Sequence, residues 1–488
     1  MGKSNNIKDM NYNIIKSAHG YYYIYIPNSN SFHFLPVECI PYWTNEKAPD
    51  GSRFSDKVIY FKNLLNTKDE KAEICIEYSS LKLEQNLANL NTLLIEVTDG
   101  CNLSCKYCGY GELYGNYDKR ENKNNTFTNV KSLIDYLNKY WQSDNNFSYN
   151  KVCYIGFYGG EPLMNFPLIK ETIEYLNTLQ TKNKLRFEYN MTTNAMLLDK
   201  YMDYIAQNHF HLLISLDGDE FNDSYRVTKN GKASFPMVVR NIHLLQNKYP
   251  DYFKQYVNFN AVLHNRNSVK STISYIKHKF DKIPSISSLS TNGIRRDKHK
   301  EFINMFHNPI ESYKEAEHCD EFSNWQIQTP DIYKGNYFVS TFCGQTFKSY
   351  SDLFVYERDK KYIPTGTCMP LKRKLFLTVN GKLLACERIG HQYQLGEIIG
   401  NKVCLDFTQI SEFYKRLYGK IIHLCNNCVM HKGCGMCIYH QDKLDKEKIN
   451  CKAYLPKNKQ NQLYAEYLSF FEKKRDAFDY IINKMIVV

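Results

Sequence analysis

Between residues 93 and 290, short apolar runs alternate with segments in which apolar residues recur every three or four positions. The runs fall at 93–97, 152–157, 185–191, 212–216, 257–263 and 283–287, each of strand length. The helical spacing is clearest at Val130, Leu133, Ile134, Leu137, Tyr140 and Trp141, and it returns at 168–179, 198–206, 236–246 and 268–278. Six β/α units predict an α/β fold, a parallel sheet with helices outside it. Sheets of this kind hold their ligands at the carboxyl ends of the strands. The residues that follow each run are therefore the ones to read for chemistry.

The flanks differ from this core. Residues 21–26 and 31–35 read as strands on either side of Pro27-Asn28-Ser29-Asn30, a hairpin with turn chemistry between its arms. A helix at 57–65 and a strand at 72–78 follow. Residues 1–88 thus form a small N-terminal α+β unit, 89–300 the core, and 301–365 an aromatic-rich bridging segment. Residues 366–455 form a cysteine-rich domain, in which 374–379 runs into Asn380-Gly381, a hairpin signal. A closing helix over 456–488 is marked by Leu463, Tyr467, Phe470, Phe471 and Phe478.

Composition narrows the picture. A chain of 488 residues exceeds one compact core. No apolar run reaches the roughly 18 residues of a membrane span. The start, Met1-Gly2-Lys3-Ser4, lacks an apolar signal region. The expected location is cytoplasmic, with no membrane partner. Thiols stay reduced there, so sixteen cysteines speak for metal or redox chemistry rather than disulfides. The net charge of +12 is spread along the chain and reads as a solvated surface, not as a nucleic-acid site.

The first run ends in Cys101, Cys105 and Cys108, with Tyr107 just before the third thiol. Three thiolates in one loop suit an iron–sulfur cluster with one iron left open, and a structural zinc site is the rival. The second run ends in Gly159-Gly160-Glu161-Pro162. Its glycines would let a ligand approach the backbone, and Glu161 could accept a bond from an ammonium group. The third ends in Thr192-Thr193-Asn194, which suits hydroxyls. The fourth ends in Ser215-Leu216-Asp217-Gly218, with Arg226 beyond it, a residue able to grip a carboxylate. Together these groups suit a ligand with an amino acid end and a ribose. Further on, Cys368, Cys386, Cys425, Cys428, Cys434, Cys437 and Cys451 fit either a zinc ribbon or an iron–sulfur module on spacing alone. Cys39, Cys75, Cys153, Cys319 and Cys404 read as ordinary buried thiols.

The CxxxCxxC loop with the GGEP, TTN and SLDG elements resembles the radical S-adenosylmethionine (radical SAM) enzymes that modify peptides and proteins, whose core is a TIM-like partial barrel. The resemblance implies a 4Fe–4S cluster on Cys101, Cys105 and Cys108 whose open iron binds SAM. It puts Gly159, Gly160 and Glu161 at the SAM amino group, Thr193, Asn194 and Ser215 near the ribose and methionine end, and Arg226 near the carboxylate. Tyr107 and Asp217 are counted with the same site. Two departures stand out: Ala195, where the family often has glycine, and Asn222-Asp223 before the arginine, where it usually has His-Asp. The later cysteines resemble a SPASM domain with two auxiliary 4Fe–4S clusters, making three in all. By that likeness Cys368, Cys386 and Cys437 hold the first, with Cys343 the candidate fourth ligand. Cys425, Cys428, Cys434 and Cys451 hold the second. The Cys434-Gly435-Met436-Cys437 spacing is one residue shorter than is usual there. The N-terminal unit resembles, in architecture, the winged-helix domains that recognise leader peptides.

The function these likenesses imply is that of a ribosomal-peptide maturase. It would cleave SAM reductively to a 5′-deoxyadenosyl radical and abstract hydrogen from a peptide to install a thioether or carbon–carbon crosslink. Its partners would be a precursor peptide with a leader and a flavodoxin- or ferredoxin-type reductant. The alternative is anaerobic sulfatase maturation, which forms formylglycine. A non-enzymatic zinc protein that binds nucleic acid is the third reading, and it leaves GGEP and SLDG unexplained.

Overall fold

The computed structural model describes residues 12–27, 31–65, 73–146, 151–180, 184–316, 330–342, 361–441 and 444–482. Cys319 and the candidate ligand Cys343 lie outside them, as do the hairpin-turn residues 28–30.

Near the N-terminus β1 (Asn13–Lys16), β2 (Tyr22–Ile26) and β3 (Ser31–Phe34) form an antiparallel sheet in that order. The hairpin is as expected, and β1 adds a strand that the pattern did not predict. Helix Arg53–Leu65 starts four residues earlier than its spacing suggested. The predicted strand at 72–78 shrinks to β4 (Glu73–Ile74), which lacks a long partner. Helix Ser80–Ala88 follows, with Ser79 accepting from Lys82 N to cap it.

The core follows the alternation closely. β5 (Thr92–Thr98), β6 (Val152–Gly159), β7 (Arg186–Thr193), β8 (His211–Ser215), β9 (Val257–Leu263) and β10 (Ser285–Ser288) lie side by side in sequence order, all parallel. Helices Phe127–Trp141, Phe166–Thr178, Leu198–Gln207, Phe235–Lys248 and Val269–Phe280 make the crossovers. Their apolar stripes, such as Val130, Leu133, Ile134, Leu137 and Trp141, are buried against the sheet. At the carboxyl end, the loop after β5 meets the segment after β10. Gly115 N donates to Gly293 O at 2.9 Å, and Arg295 N to Leu113 O at 2.9 Å. These two strands stand at opposite ends of the six, so the loops bridge the parallel set at its functional end.

The cysteine-rich region does not stand apart. β11 (Lys361–Tyr362) pairs in parallel with β4. β12 (Leu375–Leu377) joins the main sheet in parallel beside β5, and β13 (Lys382–Leu384), β14 (Gly396–Ile399) and β15 (Lys402–Leu405) continue it antiparallel. The hairpin turns at Asn380-Gly381, as its sequence signalled, with Gly381 at φ +79°. The run Leu375-Phe376-Leu377 is wholly buried, the mark of a strand covered on both faces. The expected closing helix is two, Gln460–Lys473 and Arg475–Tyr480, broken at Lys474. Among the described residues no helix is long and apolar enough to cross a membrane.

Candidate functional site: the cysteine loops at the sheet's carboxyl end

Strand β5 delivers the first cysteine loop, and its own end braces it. The Asp99 carboxylate accepts from Glu121 N at 3.1 Å and Lys123 N at 2.6 Å, and Thr98 Oγ1 donates to Lys123 O at 2.8 Å. Buried Glu96 pairs with Arg120 and accepts from Val379 N at 3.0 Å. The loop is thereby tied to both its base and the β12–β13 turn. Leu103 N donates to Cys101 Sγ at 3.4 Å, and Asn194 Nδ2 approaches the same sulfur at 3.7 Å while bonding Asn102 at 2.7 Å. Burial pushes the Cys101 thiol up to about 11 and Cys105 to about 12. Repulsion from the neighbouring thiolates of the loop adds to both shifts.

The glycine pair does something other than expected. A Cβ on Gly159 would lie 2.0 Å from Thr98 O, and one on Gly160 2.0 Å from Gly100 O. The backbone of the cysteine loop itself fills the space above both glycines, so they set how closely β6 can approach that loop. Glu161 is fully buried. It accepts from Thr193 Oγ1 at 2.7 Å, Asn194 N at 2.7 Å and Leu163 N at 3.2 Å. Burial raises its pKa to about 7 against the pull of those donors. It joins the ends of β6 and β7. Ala195, the departure from glycine, sits at φ +60°, which explains the preference of the pattern for glycine there.

Beyond β8 a second buried network appears. Asp217 accepts from Val262 N at 2.8 Å and from the Tyr107 hydroxyl. Arg226 Nε lies 3.2 Å from Asp217 and 3.4 Å from Asp223, and His264 Nε2 lies 3.6 Å from Asp217. The rings of Tyr107 and His264 stack at 5.4 Å. Burial opposes ionisation of Asp217, yet Arg226 and His264 hold its pKa below the usual range. Burial pushes Asp223 up to about 8, with Arg226 opposing and Asp217 adding. The Arg226 guanidinium, expected to meet a ligand carboxylate, thus engages two internal carboxylates and stands close enough to oppose the shift of Cys105. The Tyr107 hydroxyl is likewise bonded internally. Ser215 pairs in register with Asn260, which accepts from Ser287 Oγ at 2.8 Å. Asp99, Arg120 and His264 escaped the sequence reading. The signal for His264 was its place directly after the apolar run of β9.

The C-terminal cysteines fall into sets. Cys425 is raised to about 12 by burial and by Cys434, Cys451 and Cys428, so these four thiols are mutual neighbours. Cys437 senses Cys368, which pairs those two. Burial, then Glu387, lifts Cys386 to about 12. At three candidate ligands the amide two residues on donates to the sulfur, Leu103 to Cys101, Arg388 to Cys386 and Met436 to Cys434. Such bonds favour thiolates. Cys39, Cys75 and Cys404 instead point their thiols at carbonyl oxygens. The all-thiol donor sets suit soft iron–sulfur centres. Among the described residues no three His, Cys, Asp or Glu side chains stand close enough together to hold a single metal ion.

With this geometry in hand, the relatives can be placed. Residues 95–275 match the Radical SAM superfamily. An uncharacterized protein of Methanocaldococcus jannaschii is 36% identical over 155 residues, which cover 32% of this chain and 48% of that protein. The radical SAM cyclopropyl synthase TigE of Paramaledivibacter caminithermalis is 22% identical over 355 residues, covering 71% of this chain and 67% of the relative. A cysteine-type anaerobic sulfatase-maturating enzyme of Clostridium novyi is 32% identical over 167 residues, covering 33% and 42%. The chain thus spans about half the length of the first and less than half of the third. The superfamily match takes in the first cysteine loop and the ends of β5 to β8 that surround it.

Proposed function

We propose that the chain is a peptide maturase with a SPASM-like C-terminal region that installs a thioether or carbon–carbon crosslink in a ribosomally made peptide. The observation that carries this reading is where Tyr110, two residues past Cys108, stands: its hydroxyl donates to Glu387 O, next to Cys386, at 3.2 Å, and its ring packs edge-on against Tyr117 at 4.7 Å. The first cysteine loop and the Cys386 segment therefore flank one interior region. A crosslink removes two hydrogens from the peptide: one leaves as an atom, the other as a proton and an electron. That stoichiometry needs a hydrogen acceptor and an electron acceptor close together. A 4Fe–4S cluster on Cys101, Cys105 and Cys108 with SAM bound would supply the hydrogen-abstracting radical. Asn194, Leu103 N and the Glu161–Thr193 pair would hold the loop around it. Arg226, locked by Asp217 and Asp223, would fix the positive charge beneath Cys105. Cys368, Cys386 and Cys437, and separately Cys425, Cys428, Cys434 and Cys451, would hold the auxiliary centres. Likeness to a cyclopropyl synthase and to a sulfatase-maturating enzyme supports radical chemistry on a peptide or protein substrate.

The test is anaerobic reconstitution with a flavodoxin or dithionite, SAM and short peptides encoded beside the gene. The expected outcome is about twelve irons per chain and product lighter by two hydrogens per crosslink. About four irons with bound zinc would remove the auxiliary clusters from the proposal. The 32% match to the Clostridium novyi enzyme favours one second reading, formylglycine formation on a sulfatase. Aldehyde formation on a sulfatase-derived peptide, with no crosslinked precursor, would select it.

A further inference from the structure

A set of orphaned polar atoms gathers at one seam beside the cysteine loops. Among the described residues, Arg120 Nε and Nη2, His391 Nε2, Asn116 Oδ1 and Asn292 Oδ1 are buried without a hydrogen-bond partner. Contacts bring these four residues together. His391 N donates to Asn116 O at 3.0 Å, and Asp118 N donates to His391 Nδ1 at 3.2 Å. A Cβ on Gly293 would lie 2.3 Å from the Asn116 side chain, so that amide lies against the 292–293 peptide. The Arg120 charge reaches His391, and the guanidinium lies flat over the Tyr110 ring at 3.7 Å. Tyr117, adjacent in sequence to Asn116, packs edge-on against His391 at 5.3 Å. It is also the residue that senses both Cys108 and Cys386.

The chemistry of the orphans is specific. His391 Nδ1 lies 3.2 Å from both the Asp118 backbone N–H and an Asp118 carboxylate oxygen, so Nε2 accepts when Nδ1–H donates to the carboxylate and donates when Nδ1 accepts the amide. The seam thus offers donors from Arg120, acceptors from Asn116 and Asn292, and a His391 ring nitrogen that serves as either. An anion would satisfy the donors and meet two repelling carbonyl oxygens. A cation would do the reverse. A peptide unit presents one carbonyl and one N–H, and so answers both kinds.

We propose that Asn116, Arg120, Asn292 and His391 form a subsite for one backbone peptide unit of the substrate, next to the residue that reacts and indifferent to its side chain. This rests on the peptide-maturase reading. The orphaned atoms are closed to solvent, so docking needs the 290–295 segment to open from the cysteine loop and to close again over the peptide. That segment is held there by the Gly115–Gly293 and Leu113–Arg295 backbone bonds and by Tyr114 hydroxyl to Ser290 O.

The experiment is anaerobic hydrogen–deuterium exchange on the holoenzyme with SAM, titrated with a capped glycine–serine hexapeptide and with its fully N-methylated counterpart. The expected result is protection of 113–116 and 291–295 by the first probe and none by the second. His391→Asn keeps a polar partner for Asp118 and deletes the outer ring nitrogen, and Asn116→Ala deletes an acceptor. Each is expected to raise the half-protecting peptide concentration about tenfold, the effect of one buried hydrogen bond to a ligand. Variants that melt as the wild type does and are half-protected at its concentration overturn the subsite. So does a wild-type segment that neither probe protects. If Asn116→Ala does not fold, His391→Asn alone decides. The maturase reading is judged separately, by the mass of the crosslinked precursor, so either can fail while the other stands.

Discussion

Glu161 is the residue whose environment makes the sharpest demand. Its folded pKa of about 7 lies above the value of the unfolded chain. Stability from this group is therefore fully present below about pH 4.5 and lost as pH rises through 7. The difference of roughly two to three units corresponds to about 3 kcal/mol across that window. Urea unfolding under argon at pH 5 and pH 8 is expected to show the decline in the wild type. Glu161→Gln is expected to flatten it, and an equal slope in both proteins would refute the assignment. Ala195 poses a smaller question. Ala195→Gly relieves a left-handed alanine, worth about 1 kcal/mol, and removes a buried methyl, worth about 0.8 kcal/mol. The two nearly cancel, so a melting point within a few degrees of wild type is expected. At this scale the cysteine loop and GGEP were legible as strand-end motifs, because they carry their identity in the string. Arg226 was not. Its two carboxylate partners, Asp217 and Asp223, come from different turns, and only folding shows that they spend its charge internally.

Among the elements, the six parallel strands were read to within about two residues, since each is a short segment with buried apolar positions bounded by loop chemistry. The places where the reading failed share one cause. β4 has two residues and exists because β11 lies beside it, Glu73 with Lys361 and Ile74 with Tyr362, 288 positions later, a pairing that no local pattern announces. The docking of β12 on β5 is equally non-local. The hairpin was visible in Asn380-Gly381, but not the sheet it would extend. The glycine pair offers the test at this scale. Because a Cβ on Gly160 would meet Gly100 O at 2.0 Å, Gly160→Ala is expected to push the Cys101 loop outward. Iron analysis of the reconstituted variant should then fall by about four atoms per chain, with the C-terminal centres retained. Full iron content, with SAM cleavage at the wild-type rate, would show that the contact is not needed to shape the loop.

For the molecule as a whole, the N-terminal sheet is held from two sides. One face packs Ile24 and Ile26 on Trp43 and Val58. The other packs Ile15 and Tyr25 on Phe338, Tyr464, Tyr467 and Leu468 of the late helices. His19 and Tyr23 both bond Glu472, fastening the sheet to the helix Gln460–Lys473. Further along, Tyr78, Leu83 and Leu87 belong to the main core. Cutting away the first 85 residues would therefore open two apolar faces, and exposed point variants are the better probe of leader recognition. The helix Arg53–Leu65 supplies them on its outer rim, with Ile59 37% and Tyr60 64% exposed beside Phe61. An exposed apolar rim on this small unit suits a leader that must be held while the core of the peptide reacts. The double variant Ile59→Glu, Tyr60→Glu is expected to fold normally, since exposed substitutions shift stability by about 0.5 kcal/mol or less. It is expected to cut modification of the leader-bearing precursor at least tenfold and to leave uncoupled SAM cleavage unchanged. Mass spectrometry of the peptide, with deoxyadenosine quantified in the same reaction, separates the two readouts. Precursor modification at the wild-type rate by a folded double variant would remove this rim as the leader's docking surface.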